Sequence, residues 1–245
     1  MLEARNLSKK FGANQALSEL NLRVDGGELV CLLGANGAGK TTTINLFLGF
    51  LDPSQGCALV DSVDVNSDPV GTKRKLAYIP EQVALYPTLS GFENLKYFAA
   101  LGLGETLGDI ELFSLIERVG LTRAQAKAVV SSYSKGMRQK IGVAIALAKE
   151  AKAYLLDEPL SGLDPSAAND FCALMEELRS DGAAILMATH DLFRAKEIAT
   201  RVGIMKAGQL VDMIDPRDIS SSDLEQIYLS HMRSEVGGRE EGEAA

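Results

Sequence analysis

Hydrophobic positions along the chain follow two periods, and they change character in a definite order. Leu29-Val30-Cys31-Leu32-Leu33 is a continuous apolar run bounded by Gly26-Gly27 and Gly34, which reads as a buried strand. Residues 2–33 read as strands throughout. Over 16–24, Leu17, Leu20, Leu22 and Val24 alternate with polar residues, and Asp25-Gly26-Gly27 turns the chain. The period then becomes helical over 42–50, with Ile44, Phe47 and Leu48 on one face. Residues 52–56 read as a turn, 57–65 as an alternating strand, and 75–79 as a strand ending at Pro80. Residues 83–150 are mostly helical, with apolar residues three and four apart over 91–101, 107–119 and 137–148. Strand runs return at 153–156 and 183–189, either side of an amphipathic helix over 166–179. The stretches 202–205 and 209–214 form a hairpin around Lys206-Ala207-Gly208, and 222–232 is a last helix.

Strands alternating with helices, with extra strands in front, predict an α/β protein. The expected architecture is a parallel-sheet core, an N-terminal antiparallel β subdomain and a helical subdomain over about 83–150. No internal repeat or long linker interrupts the pattern, so 1–232 reads as a single domain. The 245 residues are 46% hydrophobic, enough for one sizeable core. The net charge of −8 speaks against a broad basic surface, so no nucleic-acid partner is expected. Residues 233–245 are acidic and read as a solvated, disordered tail. Cys31, Cys57 and Cys172 are widely spaced, with no C-x-x-C, and read as thiols of a reducing compartment. Apolar runs fall far short of the ~20 residues that span a bilayer, and no apolar signal segment follows Met1. The expectation is a cytoplasmic protein that reaches a membrane only through a partner.

Candidate chemistry sharpens this picture. Residues 34–41 read Gly-Ala-Asn-Gly-Ala-Gly-Lys-Thr and fit G-x-x-x-x-G-K-[ST], the P-loop pattern, between the 29–33 strand and the 42–50 helix. Glycine at Gly34, Gly37 and Gly39 lets backbone wrap closely around phosphates. The N–H groups of the turn, Asn36 and Ala38 included, join the helix N-terminus in facing the anion. Lys40 is expected to reach the β- and γ-phosphates, Thr41 to hold Mg²⁺ through its hydroxyl, and Thr42 to complete the cradle. Asp157 and Glu158 directly follow the 153–156 strand. Asp157 suits Mg²⁺ and Glu158 suits a general base for an attacking water.

Other residues carry two readings each. Gln82 lies at the C-terminal end of the 75–79 strand, where open α/β sheets place ligands. Its amide suits Mg²⁺ or a water, and equally a polar loop. His190 ends the 183–189 strand at the expected γ-phosphate edge, although a lone histidine is more often structural. Phe11, in an early turn, could stack on a base or belong to the core. Ser134 opens the 137–148 helix as a plain N-cap or, with Gly136, as a second anion site.

Taken in order, these landmarks resemble the ATP-binding subunit of an ABC (ATP-binding cassette) transporter over about residues 2–215. Gly34 to Thr41 matches the family's Walker A loop, and Gln82 the Q-loop glutamine. Tyr133-Ser134-Lys135-Gly136-Met137 matches the signature, usually written LSGGQ. Leu155 to Glu158 matches Walker B, Ser161 to Asp164 the D-loop, and His190 the switch histidine. Phe11 falls where the family stacks adenine on an aromatic ring. The signature departs from the family at Tyr133, Lys135 and Met137 but keeps Ser134 and Gly136. The resemblance implies an ATPase with ATP and Mg²⁺ as ligands, working as a head-to-tail dimer, expected to be a homodimer. Each nucleotide would lie between one subunit's Walker loops and the other's Ser134, Gly136 and Asp164. It further implies a separate integral membrane permease facing about 83–87, in the six-helix branch, and export. A non-transport relative acting in translation or DNA repair is the competing class. Such relatives usually carry tandem cassettes or long coiled-coil insertions, which this chain lacks.

Overall fold

The computed structural model describes residues 1–233, so the acidic tail lies outside the described residues but for its first position. The chain runs β1 (Leu2–Phe11), β2 (Asn14–Val24), β3 (Leu29–Leu33), α1 (Lys40–Phe47), β4 (Gln55–Val60), β5 (Val63–Asp64), α2 (Pro69–Arg74) and β6 (Leu76–Ile79). It continues through α3 (Gly91–Leu103), α4 (Asp109–Arg118), α5 (Arg123–Lys127), α6 (Lys135–Ala148), β7 (Ala153–Asp157), α7 (Pro165–Ser180) and β8 (Ala184–Thr189). It closes with α8 (Leu192–Ile198), β9 (Arg201–Lys206), β10 (Gln209–Ile214) and α9 (Ser221–Arg233).

Two sheets result. One is antiparallel, in the order β2-β1-β4-β5. The other has the order β10-β9-β3-β8-β7-β6 and is parallel except for the β9–β10 hairpin. The apolar runs are continuous because the parallel strands bury both faces. On β3, Leu29, Cys31 and Leu33 enter one core, against the helical side. Val30 and Leu32 enter the other, with α1 and the antiparallel sheet. On β7, Tyr154 and Leu156 divide from Ala153 and Leu155 in the same way. The N-terminal strands read differently, because one face is wet. On β2, Leu17, Leu20, Leu22 and Val24 are buried. Alternation slips between Leu17 and Leu20, where the β1–β2 register shifts and Glu19 takes a left-handed φ of 49°.

Four sequence expectations change. The 57–65 strand is two strands, β4 and β5, joined by Asp61 and Ser62 at φ 52° and 66°. That is the tight hairpin conformation glycine and asparagine usually occupy. The 42–50 helix begins earlier, at Lys40, and ends at Phe47. The 107–119 helix begins at Asp109. Helices α2, α5 and α8 were not expected. They are six, five and seven residues long, too short to show a period, and only their side-chain caps Asp68, Thr122 and Asp191 mark them.

Helix α3 opens with a reciprocal cap. Ser90 Oγ accepts from the Glu93 N–H at 3.2 Å, and Glu93 Oε2 accepts from the Ser90 N–H at 2.7 Å. Ser90→Ala should therefore cost about 1 kcal/mol, read as a drop of roughly 2–4 °C in melting temperature for a chain of this size. An unchanged melting temperature would mean that burial of Leu95 and Ala99 alone fixes this helix end.

Candidate functional site

The glycine turn between β3 and α1 is fixed by packing. A Cβ on Gly34 would lie 2.5 Å from the Met205 carbonyl oxygen and 2.9 Å from Ala38 Cβ. Gly39, at φ 104°, ends the turn as the N-cap of α1 and makes no side-chain cap bond. The amides of the first helical turn are thus left facing the loop's concave side. Lys40 is 6% exposed. Its Nζ donates to the Gly34 carbonyl at 2.6 Å and the Ala35 carbonyl at 3.3 Å, and lies 3.7 Å from Glu158 Oε1.

Parallel register brings the acids to this turn. β3 pairs with β8, and β8 pairs with β7, so the ends of all three strands lie side by side. Thr41 Oγ1 donates to Asp157 Oδ1 at 3.1 Å. Glu158 sits at a left-handed φ of 47° with its N–H on the Ala188 carbonyl. Its Oε2 lies 2.9 Å from His190 Nδ1. Burial raises the Asp157 pKa above the ordinary aspartate value. The Thr41 hydrogen bond opposes that shift, and the Glu158 charge adds to it.

A cavity of about 640 Å³ opens here, lined by Phe11, Asn14 to Ala16, Ala35 to Thr42, Glu81, Asp157, Glu158 and Ala207. That volume suits a nucleotide-sized ligand. The donor set fits both expected ligands. Lys40 and the loop amides face an anion. Thr41 and Asp157 would offer oxygens to Mg²⁺. No group of three or more His, Cys, Asp or Glu residues capable of binding a metal occurs among the described residues. Phe11 is 47% exposed at the mouth, so its ring is not a core ring.

The structure brings together Phe11, Asn36, Gly37, Ala38, Gly39, Lys40, Thr41, Thr42, Asp157 and Glu158, with Gly34 beneath Lys40 and His190 against Glu158. It does not bring in Ser134, Gly136 or Asp164. Ser134 caps α6 through the Met137 N–H, and Asp164 caps α7 through the Ala167 N–H. Gly136 and Leu163 line a separate cleft of about 310 Å³ between α6 and α7. Gln82 is exposed and lies outside the pocket lining, and its neighbour Glu81 is in it. Nothing in the local pattern around Pro80 distinguishes which of the two faces the pocket. Lys135 lies over the loop of its own chain. A Cβ on Gly162 would be 3.1 Å from its Nζ.

A P-loop joining a buried parallel strand to a helix, with paired acids at the neighbouring strand end, defines a P-loop nucleoside triphosphatase. Comparison with known proteins narrows the class. The family model for ABC transporters matches residues 17–161. The uncharacterized ABC transporter ATP-binding protein YdbJ of Bacillus subtilis is 37% identical over 211 residues, covering 86% of this chain and 68% of the relative. The bacitracin transport ATP-binding protein BcrA of Enterococcus faecalis is 33% identical over 216 residues, covering 88% and 69%. Among solved structures, the dimeric post-hydrolysis state of the ATP-binding cassette MJ0796 bound to ADP and Pi aligns with a TM-score of 0.80 at 26% identity, covering 89% of this chain and 99% of that one. The chain belongs to the ABC transporter family, as one of its ATP-binding cassettes, and is an ATPase.

The Asp157 shift has a measurable consequence. A carboxyl whose folded pKa is raised supports folding below its unfolded value of about 3.9 and loses that support as pH rises through the folded value. At pH 7 the ionised, buried Asp157 therefore opposes folding of the nucleotide-free protein. Asp157→Asn keeps an acceptor for Thr41 and should raise the nucleotide-free melting temperature at pH 7. The gain should shrink as pH falls toward 4. Thermal melts across that range check it, and a less stable variant at pH 7 would refute it.

Proposed function

We propose that this chain is the ATP-hydrolysing subunit that powers a separate membrane-spanning permease, and that the transport is export. The observation that carries the chemistry is Glu158, 2.9 Å from His190 and 3.7 Å from Lys40, at the rim of the phosphate pocket. Lys40 holds the β- and γ-phosphates with charge-assisted bonds. Phe11 stacks on the adenine, and Gly34 to Gly39 with Thr42 cradle the phosphates. Thr41 and Asp157 would hold Mg²⁺, and the loop after β6 that carries Gln82 lies beside them. When bound, Mg²⁺ neutralises charge on the β- and γ-oxygens. Glu158 takes the proton of the water that attacks the γ-phosphorus as the bond to the ADP oxygen breaks, and His190 orients the Glu158 carboxylate.

Ser134, Gly136 and Asp164 lie away from this pocket, which favours a role toward a second copy's nucleotide. One domain over 1–232, with its helical subdomain at 83–150, fits a subunit that docks on a permease at the cytoplasmic face. No helix among the described residues is long and apolar enough to cross a membrane. The bacitracin transport relative favours transport, and the ATP-binding protein LptB of the lipopolysaccharide export system of Haemophilus influenzae, 29% identical over 236 residues, favours export.

Glu158→Gln removes the base and keeps the shape. Hydrolysis should fall by about 10²-fold or more, while ATP still binds in calorimetry. Turnover near the parent rate would remove Glu158 from the role. The shared site has its own test. Lys40→Ala disables the phosphate side and Ser134→Arg the signature side, so each variant alone is inactive. Co-assembled with the permease, a mixed dimer contains one site with both halves intact and should recover part of the activity. Mixtures that stay inactive would mean that Lys40 and Ser134 do not meet across two identical chains.

A further inference from the structure

Two amides, Asn14 and Gln15, line the pocket beside Phe11, and the P-loop pattern assigns neither. Phe11 and Asn14 are the last pair of the β1–β2 hairpin, with Gly12-Ala13 turning between them. Residues directly opposite in an antiparallel pair share a face, with Cβ atoms about 4.5–5.5 Å apart. Lys9 Nζ lies over the Phe11 ring, 5.2 Å from its centroid, and donates to the Asp52 carbonyl at 2.6 Å. One face of the ring is thus covered, and the other is left for a base. The two amides differ in what holds them. Gln15 stands opposite Lys10, on the other face of the hairpin, and its Nε2 donates to the Leu17 carbonyl at 2.6 Å. The Asn14 side chain is exposed and makes no hydrogen bond to other described residues.

We propose that the Asn14 carboxamide reads the N6/N7 edge of the adenine on Phe11 and gives this ATPase a preference for adenine over 6-oxopurine nucleotides. The inference rests on the nucleotide reading above. Adenine carries a donor, its N6 amino group, beside an acceptor, N7. A carboxamide meets both at once, with Oδ1 accepting from N6 and Nδ2 donating to N7, the pairing by which asparagine reads adenine in nucleic acids. Guanine and hypoxanthine place the O6 acceptor beside N7, so the same amide satisfies one acceptor and leaves Oδ1 facing an oxygen. At the N1 edge an asparagine would turn over and suit either base, so a choice of base arises only at N6/N7. Lys40 and the glycine loop hold the phosphates alike for every base, which leaves Asn14 as the specificity-determining side chain.

The test is calorimetry on the full chain with ADP, IDP and 7-deaza-ADP, which lacks the N7 acceptor. Melting curves check that each variant folds. The parent should bind ADP about fivefold or more tighter than either analogue, as a net hydrogen bond allows. Asn14→Ala should bring ADP and IDP within about a factor of two of each other. Loss of N7 should weaken binding to the parent and cost the Asn14→Ala variant nothing further, because base edge and amide act as one pair. Gln15→Leu should keep the parent's preference, since its amide nitrogen already serves Leu17. Equal binding of ADP and IDP by the parent overturns the proposal and leaves the nucleotide reading standing. So does a preference that survives Asn14→Ala, or one that disappears in Gln15→Leu instead. A parent chain that binds no diphosphate at all overturns both readings.

Discussion

Parallel register between β3, β8 and β7 is the constraint on which the site depends. Leu33 stands opposite Thr189, and Ala188 opposite Asp157, so three strand ends finish at one level. The P-loop leaves from the first, His190 from the second, and Asp157-Glu158 from the third. Shifting one strand by a single residue would turn its whole apolar set toward the opposite core. Because β3 and β7 feed both cores, neither can slip without burying the wrong side chains in two places. Distances such as Thr41–Asp157 and Glu158–His190 are therefore inherited from core packing rather than from the loops that carry the residues.

Electrostatics then concentrates on one buried cation. Lys40 is almost fully enclosed, and a buried charge is costly unless it is paired. Its partners here are two loop carbonyls and, at longer range, Glu158. Phosphate oxygens offer the same ammonium charged acceptors, which bind about twice as strongly as neutral ones. The acids around it have the converse problem. The Glu158 and Glu81 charges both act on Asp157, and burial raises the cost there. A divalent cation bound there would relieve that repulsion. Lysine and acids thus divide the pocket into an anion-seeking half and a cation-seeking half, a polarity that a metal-bound polyphosphate matches.

Much of this was legible along the chain, for reasons that differ from residue to residue. The P-loop was legible because strand, glycine turn and helix follow one another locally. Asp157, Glu158 and His190 were legible because apolar strands end abruptly in polar residues. The helical stretch after Gln82 was visible by period, and its longest helices lie within a few residues of expectation. Illegible features depend on contacts distant in sequence. Whether Glu81 or Gln82 faces the pocket is settled by how the segment after Pro80 passes the β7–α7 loop. The Asp61-Ser62 turn carries no glycine to announce it. Phe11 is an exposed ring at a cavity mouth only because the β1–β2 end lies beside the P-loop.

The loop over residues 158–164 connects two surfaces that the sequence presents as separate motifs. At its start Glu158 meets Lys40 and His190, and Ser161 meets Glu81, all on the pocket side. Farther along, Gly162 lies under the Lys135 side chain, and Leu163 shares a cleft with Gly136. Gly162 has φ 67°, a backbone conformation that favours glycine. Lys135 replaces the small residue usual at this point of the signature, and its stem covers the loop instead of leaving it open. Its stem packs against Gly162, so the loop after Glu158 and the first turn of α6 meet within one chain.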